Sequence, residues 1–508
     1  MNRFTKKMTS CLIALAALAA IPASAQKSAD TLRWASTSSI TTMDPYYQHQ
    51  REQMIIHGQL VWDTLVFRDP DNGNMKPLLA KSWRWLDDTT IEFNLREDVK
   101  WHDGQPLTAD DAVYTFNYIS DPANKINVPS NVNWIKRAEK SGPLTFKLFL
   151  KAPFPAAFEY LSAMLAVVPK DFYGPGGVPG ANGRLVGTGP YKLVKFNPGA
   201  TVDLERFDGY FGNSPKGKGA IKNIRYRVIP DGATQMAELL SGGVDWVWYV
   251  PSDQAQQLAS VKKLIVKPAE TMRISYLGFN MRDMPGANPV QNIKVRQAIA
   301  HAIDREKLVK HVIGDGASIP KAACYRTQFG CRQDVAQYEY DPVKSKKLLA
   351  EAGFTNGLTV DLVAFRSREW TEAVAGYLNA VGIKTNVSVL PFPAANDRVL
   401  NNTLHLYLAE WGSYSINDAS AILNNFFTLA PNDIAQDKEL AAMVKTAGST
   451  TDPKTRVATY SKALGRIADQ VYWQPLWVHP VVYAHSADLD FKPFPDENPR
   501  FFLTGWKK

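Results

Sequence analysis

Residues 358–365, LTVDLVAF, alternate apolar and polar side chains as a half-buried strand does, a helix is expected near residues 370–380, and the strand-like IKTNVSVL begins at Ile383. Two strands separated by a helix of that length cannot pair as a tight hairpin. They are expected to lie parallel, joined by a right-handed crossover. This unit commits that part of the chain to an α/β architecture, in which ligands bind beyond the carboxyl ends of the strands.

The chain is too long for one core. Arg3, Lys6 and Lys7 precede an apolar run at residues 11–21, and Ala23-Ser24-Ala25 follows, the pattern of a secretory signal with an A-x-A cleavage site. Cleavage after Ala25 leaves 483 of the 508 residues, well above the roughly 250–300 at which a single core stops growing, so two or more lobes are expected. The run at 11–21 is shorter than the roughly 18 apolar residues a membrane helix needs, and no later segment approaches that length. A soluble, periplasmic protein is expected. Cys11 lies ahead of the apolar core rather than at the cleavage point, which argues against a lipid anchor.

Export leaves Cys324 and Cys331, in CYRTQFGC, as a pair in an oxidising compartment. A disulfide is expected there, closing a short loop for about 2–3 kcal/mol in the chain-entropy model. No second cysteine pair or nearby histidine completes a tetrahedral zinc site, and no metal or other cofactor is expected. The net charge is +9, of which the signal carries three, and the rest is spread without a basic run. That balance argues against nucleic-acid or membrane binding.

Punctuation elsewhere agrees with a mixed fold. WRWLDD and TTIEFNLR read as a β-hairpin, and Thr108 with Asp111 reads as a weak form of a capping box. Asp304 can cap a helix that stops at Gly314, and Asp341-Pro342 starts another that ends at Gly353. GPGGVPGANG, residues 174–183, reads as a loop that decorates a domain.

Catalytic motifs are absent. The glycines of GNSPKGKG, residues 212–219, have phosphate-loop spacing, yet Gly219 stands where Ser or Thr should hold magnesium and no strand leads in, so a surface turn is the reading. No nucleophile elbow or HExxH occurs, and the eight histidines show no ligand spacing. No catalytic residue is assigned. Aromatic residues set beside small or polar ones remain, at MDPYY (43–47), VDWVWYV (244–250) and EWGSYSINDAS (410–420). Most are expected in cores, and a few in a wet pocket.

Several stretches together resemble the family 5 extracellular solute-binding proteins of ABC importers, whose best-known members bind dipeptides and oligopeptides. They are LAKSWRWLDDTTIEFNLREDVKWHDGQPLTADDAVYTF, GTGPYKLVKF, YFGNSP to RVIPDG with ELLSGGVD, LGFN with NIKVRQAIAHAIDREKLV, and EYDPVKSKKLLAEAGF. The resemblance implies a two-lobed periplasmic-binding-protein fold with a hinge. Lobe I would hold residues 26–274 and 484–508, with an extra subdomain at about 77–190, and lobe II residues 275–483. It also implies a monomer that closes around a peptide or other small solute and is read by an inner-membrane ABC permease.

In peptide-binding relatives an aspartate three residues after a tryptophan pairs with the ligand's α-ammonium. From Trp411 that position is Tyr414, so the expected charge is missing. Asp418 stands as a substitute anchor or as a helix cap, and Ser413 and Asn417 share the stretch. Arg366 and Arg368 lie near where dipeptide-binding relatives place an arginine for the ligand carboxylate, a group an arginine fork suits. Tyr46 and Tyr47 would line the cleft. A peptide-like solute is the leading expectation. The alternatives are a non-peptide solute such as an opine, a glycoside or oligosaccharide, or a metal chelate, and then an exported hydrolase.

Overall fold

The computed structural model describes residues 30–48, 50–181 and 183–507; the expected secretory signal, with Cys11 and its expected cleavage site, lies outside the described residues. One mixed sheet of ten strands runs through the molecule. In chain order its strands are β1 (Thr31–Ser36), β2 (Tyr191–Asn197), β3 (Thr201–Arg206), β4 (Asn223–Val228), β5 (Trp246–Val247), β6 (Leu264–Phe279), β7 (Leu358–Ala364), β8 (Ile383–Val389), β9 (Leu406–Trp411) and β10 (Trp473–Ser486). Their order across the sheet is β8-β7-β9-β6-β10-β5-β1-β4-β3-β2.

Strands β6 and β10 stand at the centre and are the longest, with 16 and 14 residues. They pair antiparallel in two blocks. Leu264–Glu270 meets Pro480–Ser486, and after an irregularity between Glu270 and Ile274 the pairing resumes with Ile274 opposite Val478. The first block adjoins β5 through β10, and the second adjoins β9 through β6. Each block therefore serves a different lobe, and the irregular stretch between them is where regular pairing is interrupted.

In the second lobe, β7 runs parallel to both β8 and β9, with Leu358 opposite Ile383 and Ala364 opposite Val389. The crossover helix Arg368–Ala380 is started by the Ser367 side chain, which accepts from the Trp370 backbone N–H. Both sheet faces are covered, which explains why β9 opens with the apolar run LYLA at residues 406–409. Leu362, Ala364, Leu406 and Leu408 pack to one side, and Tyr276, Val363, Tyr407 and Ala409 to the other.

The first lobe is built round Trp34, whose ring meets Trp246 at 5.8 Å and Phe501 at 5.0 Å. A separate four-stranded antiparallel sheet, spanning residues 80–150, stands against it; the expected hairpin is there, pairing Trp85 with Ile91. The Thr108 backbone N–H donates to Asp111, as the capping box requires. The GTGP stretch has a steric reason: a Cβ on Gly187 would lie 1.8 Å from the Val61 carbonyl oxygen, and one on Gly189 2.3 Å from that of Leu60. Residues 212–219 do not form a wholly exposed turn. Lys216 is buried against Asp63 at 2.7 Å and donates to the Gln59 carbonyl, while Lys218 stays exposed. Cys324 and Cys331 form a disulfide.

Candidate functional site

Because β7, β8 and β9 are parallel, the residues just past their carboxyl ends converge. Phe365 follows β7, Phe392 opens the helix after β8, and Glu410 and Trp411 end β9. Together with Tyr276, Tyr407 and Trp473 they line a cavity of about 230 Å³. Its aromatic walls are packed by ring contacts: Tyr276 stacks on Trp473 with centroids 3.4 Å apart, and Trp411 meets Phe426 edge-on at 5.2 Å. Asn396, Asn425 and Asn432 add amides, and Glu410 is the one carboxylate among the lining residues. Such a box suits an apolar or ring-bearing group that also carries hydrogen-bonding atoms.

Glu410 is only 8 % exposed and is already served by three basic side chains. Arg366 lies at 2.7 Å, His479 Nε2 at 2.8 Å and Arg273 at 3.1 Å. Burial alone would raise its carboxyl pKa, but His479, Arg273 and Arg366 outweigh burial and hold it at about 2. Arg273 also reaches Glu497 at 3.3 Å, and the buried Glu497 accepts from Tyr249 Oη at 3.1 Å. This chain of charges links the end of β9 to the C-terminal segment of the first lobe.

The turn after β9 is strained. Ser413, Tyr414 and Ser415 have φ of 54°, 48° and 65°, three successive non-glycine residues in the left-handed region. Contacts with the other lobe meet it there. Arg51 donates to Ser415 Oγ at 2.6 Å, Ser415 Oγ donates to the Asp496 carbonyl at 2.6 Å, and the Asn417 backbone N–H donates to Glu159 at 2.7 Å. The buried atoms Trp411 Nε1, Ser413 Oγ and Asn417 Oδ1 have no hydrogen-bond partner among the described residues.

The expected site residues separate into two groups. Trp411 and Tyr414 line the cavity, Arg366 sits on Glu410 at its edge, and Ser413 and Asn417 belong to the adjoining turn. The others are elsewhere. Asp418 is 3 % exposed, and its carboxylate is held by Arg456 at 2.9 Å while accepting from the Ser420 backbone N–H; the helix Ser420–Phe426 has Ala419 at its N-cap and no side-chain capping bond. Arg368 is an exposed helix residue paired with Glu372 at 3.2 Å. Tyr46 is buried and donates to the Ala166 carbonyl, and Tyr47 donates to the Asn124 carbonyl and meets Tyr173 edge-on. Tyr46 belongs to the first lobe's core, and half-buried Tyr47 packs against it, each hydroxyl finding a protein partner there.

Sequence reasoning passed over Glu410, next to Trp411, and the aromatic residues on β6, β9 and β10, which read as ordinary core. Arg51, Arg273 and Glu497 come from three distant segments, and nothing local in the sequence marks them.

The family model for bacterial extracellular solute-binding proteins, family 5 (middle region), matches residues 74–433. The glutathione-binding protein GsiB of Shigella dysenteriae is 28 % identical over 499 residues, covering 94 % of this chain and 94 % of that protein. The structure of HbpA2 from Haemophilus parasuis superimposes with a TM-score of 0.82 at 22 % identity, covering 94 % of this chain and all of the other. A dipeptide-binding protein from Pseudoalteromonas sp. SM9913, in complex with Met-Leu, gives 0.73 at 21 % over the same share of this chain. At that identity the structural likeness speaks for the two-lobed fold.

Proposed function

The chain belongs to the family 5 bacterial extracellular solute-binding proteins, and from that premise we propose that it captures a peptide or peptide-like solute between its lobes and presents it to the permease of an inner-membrane ABC importer. A relative named for glutathione binding and a structural relative holding Met-Leu support the peptide class. The observation that carries the reading is the aromatic, amide-edged cavity at the carboxyl ends of three parallel strands, beside a turn contacted from the other lobe.

The described residues of 26–274 with those of 484–508 form lobe I, its extra subdomain at about 77–190, and residues 275–483 form lobe II. The interrupted pairing between Glu270 and Ile274 favours a hinge there, and β10 crosses back near His479. A solute touching both lobes favours the closed form by its differential affinity; moving the ratio from 1:99 to 99:1 takes about 5.5 kcal/mol. Trp411 and Tyr414 form the wall, and Ser413 and Asn417 the adjoining turn. Tyr414 is uncharged where peptide-binding relatives carry an aspartate, and the cavity's carboxylate, Glu410, is paired with Arg366, His479 and Arg273. Arg366 uses one edge of its guanidinium on Glu410, and its side chain, 57 % exposed, is the cation offered to a ligand carboxylate. The mature protein works as a periplasmic monomer, free of a lipid anchor, and binds without catalysis.

No helix among the described residues is long and apolar enough to cross a membrane. A thermal-shift screen of glutathione, Met-Leu and longer peptides against opines, oligosaccharides and metal chelates tests the solute class. Stabilisation by peptides supports it. Stabilisation by sugars or chelates alone overturns the peptide assignment, and cleavage of an added peptide, followed by mass spectrometry, overturns the non-catalytic one.

A further inference from the structure

The strained turn at 413–415 has two backbone bonds of its own, from Ser415 N–H to the Gly412 carbonyl at 3.1 Å and from Ile416 N–H to the Ser413 carbonyl at 2.8 Å, and is further held from outside. From the other lobe it is contacted by Arg51 and, two residues on, by Glu159. From its own lobe the residues that continue it, Ile416 to Ala419, are held by the loop that the Cys324–Cys331 disulfide closes. Within that loop the Gln328 side-chain amide donates to the Ile416 carbonyl at 2.9 Å, and the Phe329 backbone N–H donates to the Asn417 carbonyl at 2.9 Å. The Ala419 backbone N–H returns a bond to the Phe329 carbonyl at 2.9 Å, making a short parallel bridge between Phe329 and Asp418.

The loop is itself anchored. Gln328 is 3 % exposed, and its side-chain oxygen accepts from the Tyr325 backbone N–H at 2.9 Å. The Arg456 guanidinium lies over the Phe329 ring at 4.7 Å while pairing with Asp418. Cys324 is fully buried. An eight-residue loop with this many bonds to one segment sets that segment's position, and a left-handed run persists only when its surroundings over-determine it.

We propose that the disulfide-closed loop Cys324–Cys331 is the positioning element of the solute-binding turn, with Gln328 and Phe329 as its positioning residues, so that solute affinity depends on the oxidised state of this pair. The inference rests on the reading of the turn as part of the solute site. Reduction transfers two electrons and two protons from two molecules of a small thiol, or one dithiol, to Cys324 and Cys331, giving two cysteine thiols and one new disulfide on the reductant. The loop then loses its covalent closure and the turn its fixed partner.

Hydrogen exchange at residues 412–419 and titration with S-methylglutathione and Met-Leu, neither of which carries a thiol, test this on the oxidised protein, the Cys324→Ser/Cys331→Ser variant and Gln328→Ala. Gln328→Ala keeps the disulfide and guards against a cysteine variant that fails to fold. Exchange at 412–419 is expected to quicken at least tenfold in the cysteine variant and at least threefold in Gln328→Ala, while β7 and β8 keep their protection. Affinity for the peptide that the oxidised protein binds is expected to fall at least fivefold in the cysteine variant. Unchanged exchange in the turn, or unchanged affinity beside quickened exchange, overturns the inference. If the oxidised protein binds neither peptide yet the turn's exchange quickens, the positioning role stands and the peptide reading fails.

Discussion

Replacing Arg456 with Met should destabilise the second lobe strongly. Arg456 and Asp418 are 5 % and 3 % exposed and meet at 2.9 Å, and Arg456 also covers Phe329 and Tyr460. Removing the cation leaves a buried carboxylate whose remaining bond is from the Ser420 backbone N–H, a loss worth about 3–5 kcal/mol. For a lobe of this size each kcal/mol moves Tm by about 2–4 °C, so a drop of roughly 6–20 °C is expected by calorimetry of the solute-free protein. Adding Asp418→Asn to Arg456→Met removes the stranded charge and should recover ~2 kcal/mol, which a double-mutant cycle reads as coupling. A shift below 2 °C for Arg456→Met, or loss of peptide affinity in Asp418→Asn with Tm unchanged, would refute this and return Asp418 to the role of ligand anchor.

Other consequences follow from the same contacts. Trp411→Ala should weaken peptide binding at least tenfold in calorimetric titration, because it opens the wall between Phe426 and Tyr414, and an unchanged affinity removes this cavity from the site. Arg51→Ala deletes a charge-assisted bond to Ser415 across the lobes, worth ~1.5–3 kcal/mol, and should cost about tenfold or more in affinity by calorimetric titration, with some loss of solute-free Tm because Arg51 also meets Asp496 and Glu497. Buried Asp44 has its carboxyl pKa raised from 3.8 to about 6 by burial, against the opposing bonds from Tyr46 and Tyr47. Its folded pKa lies above the unfolded one, so the stability gained is fully present below pH 3.8 and ~3 kcal/mol is lost as pH rises through about 6. Asp44→Asn, which mimics the protonated form, should therefore raise stability at pH 7.5 by up to that amount and by nothing below pH 3.8; urea melts at both pH values check it.

Much of the fold was legible because it rests on local rules. Alternation marked β7 and β8, capping residues marked the helices at 109, 305 and 342, and two cysteines marked one loop. The site was legible only in part. Trp411 and Tyr414 lie where strand ends must place them, but Tyr276, Tyr407 and Trp473 sit in strands buried on both faces, where an aromatic lining a cavity and one filling a core look the same. The ion pair at Asp418 was not legible because its partner Arg456 is 38 residues away, and no local pattern reports a buried pair at that distance. The charges that join the lobes could not be read at all, since Arg273, with Arg51 and Glu497 beside it in the first lobe, meets Glu410 of the second only through the fold.

The most direct test of lobe closure around a peptide is small-angle X-ray scattering of the mature protein during titration with a peptide that stabilises it. The radius of gyration should fall saturably, with a single-site midpoint matching the calorimetric Kd. A peptide that binds at full occupancy while the scattering curve stays unchanged would contradict the account.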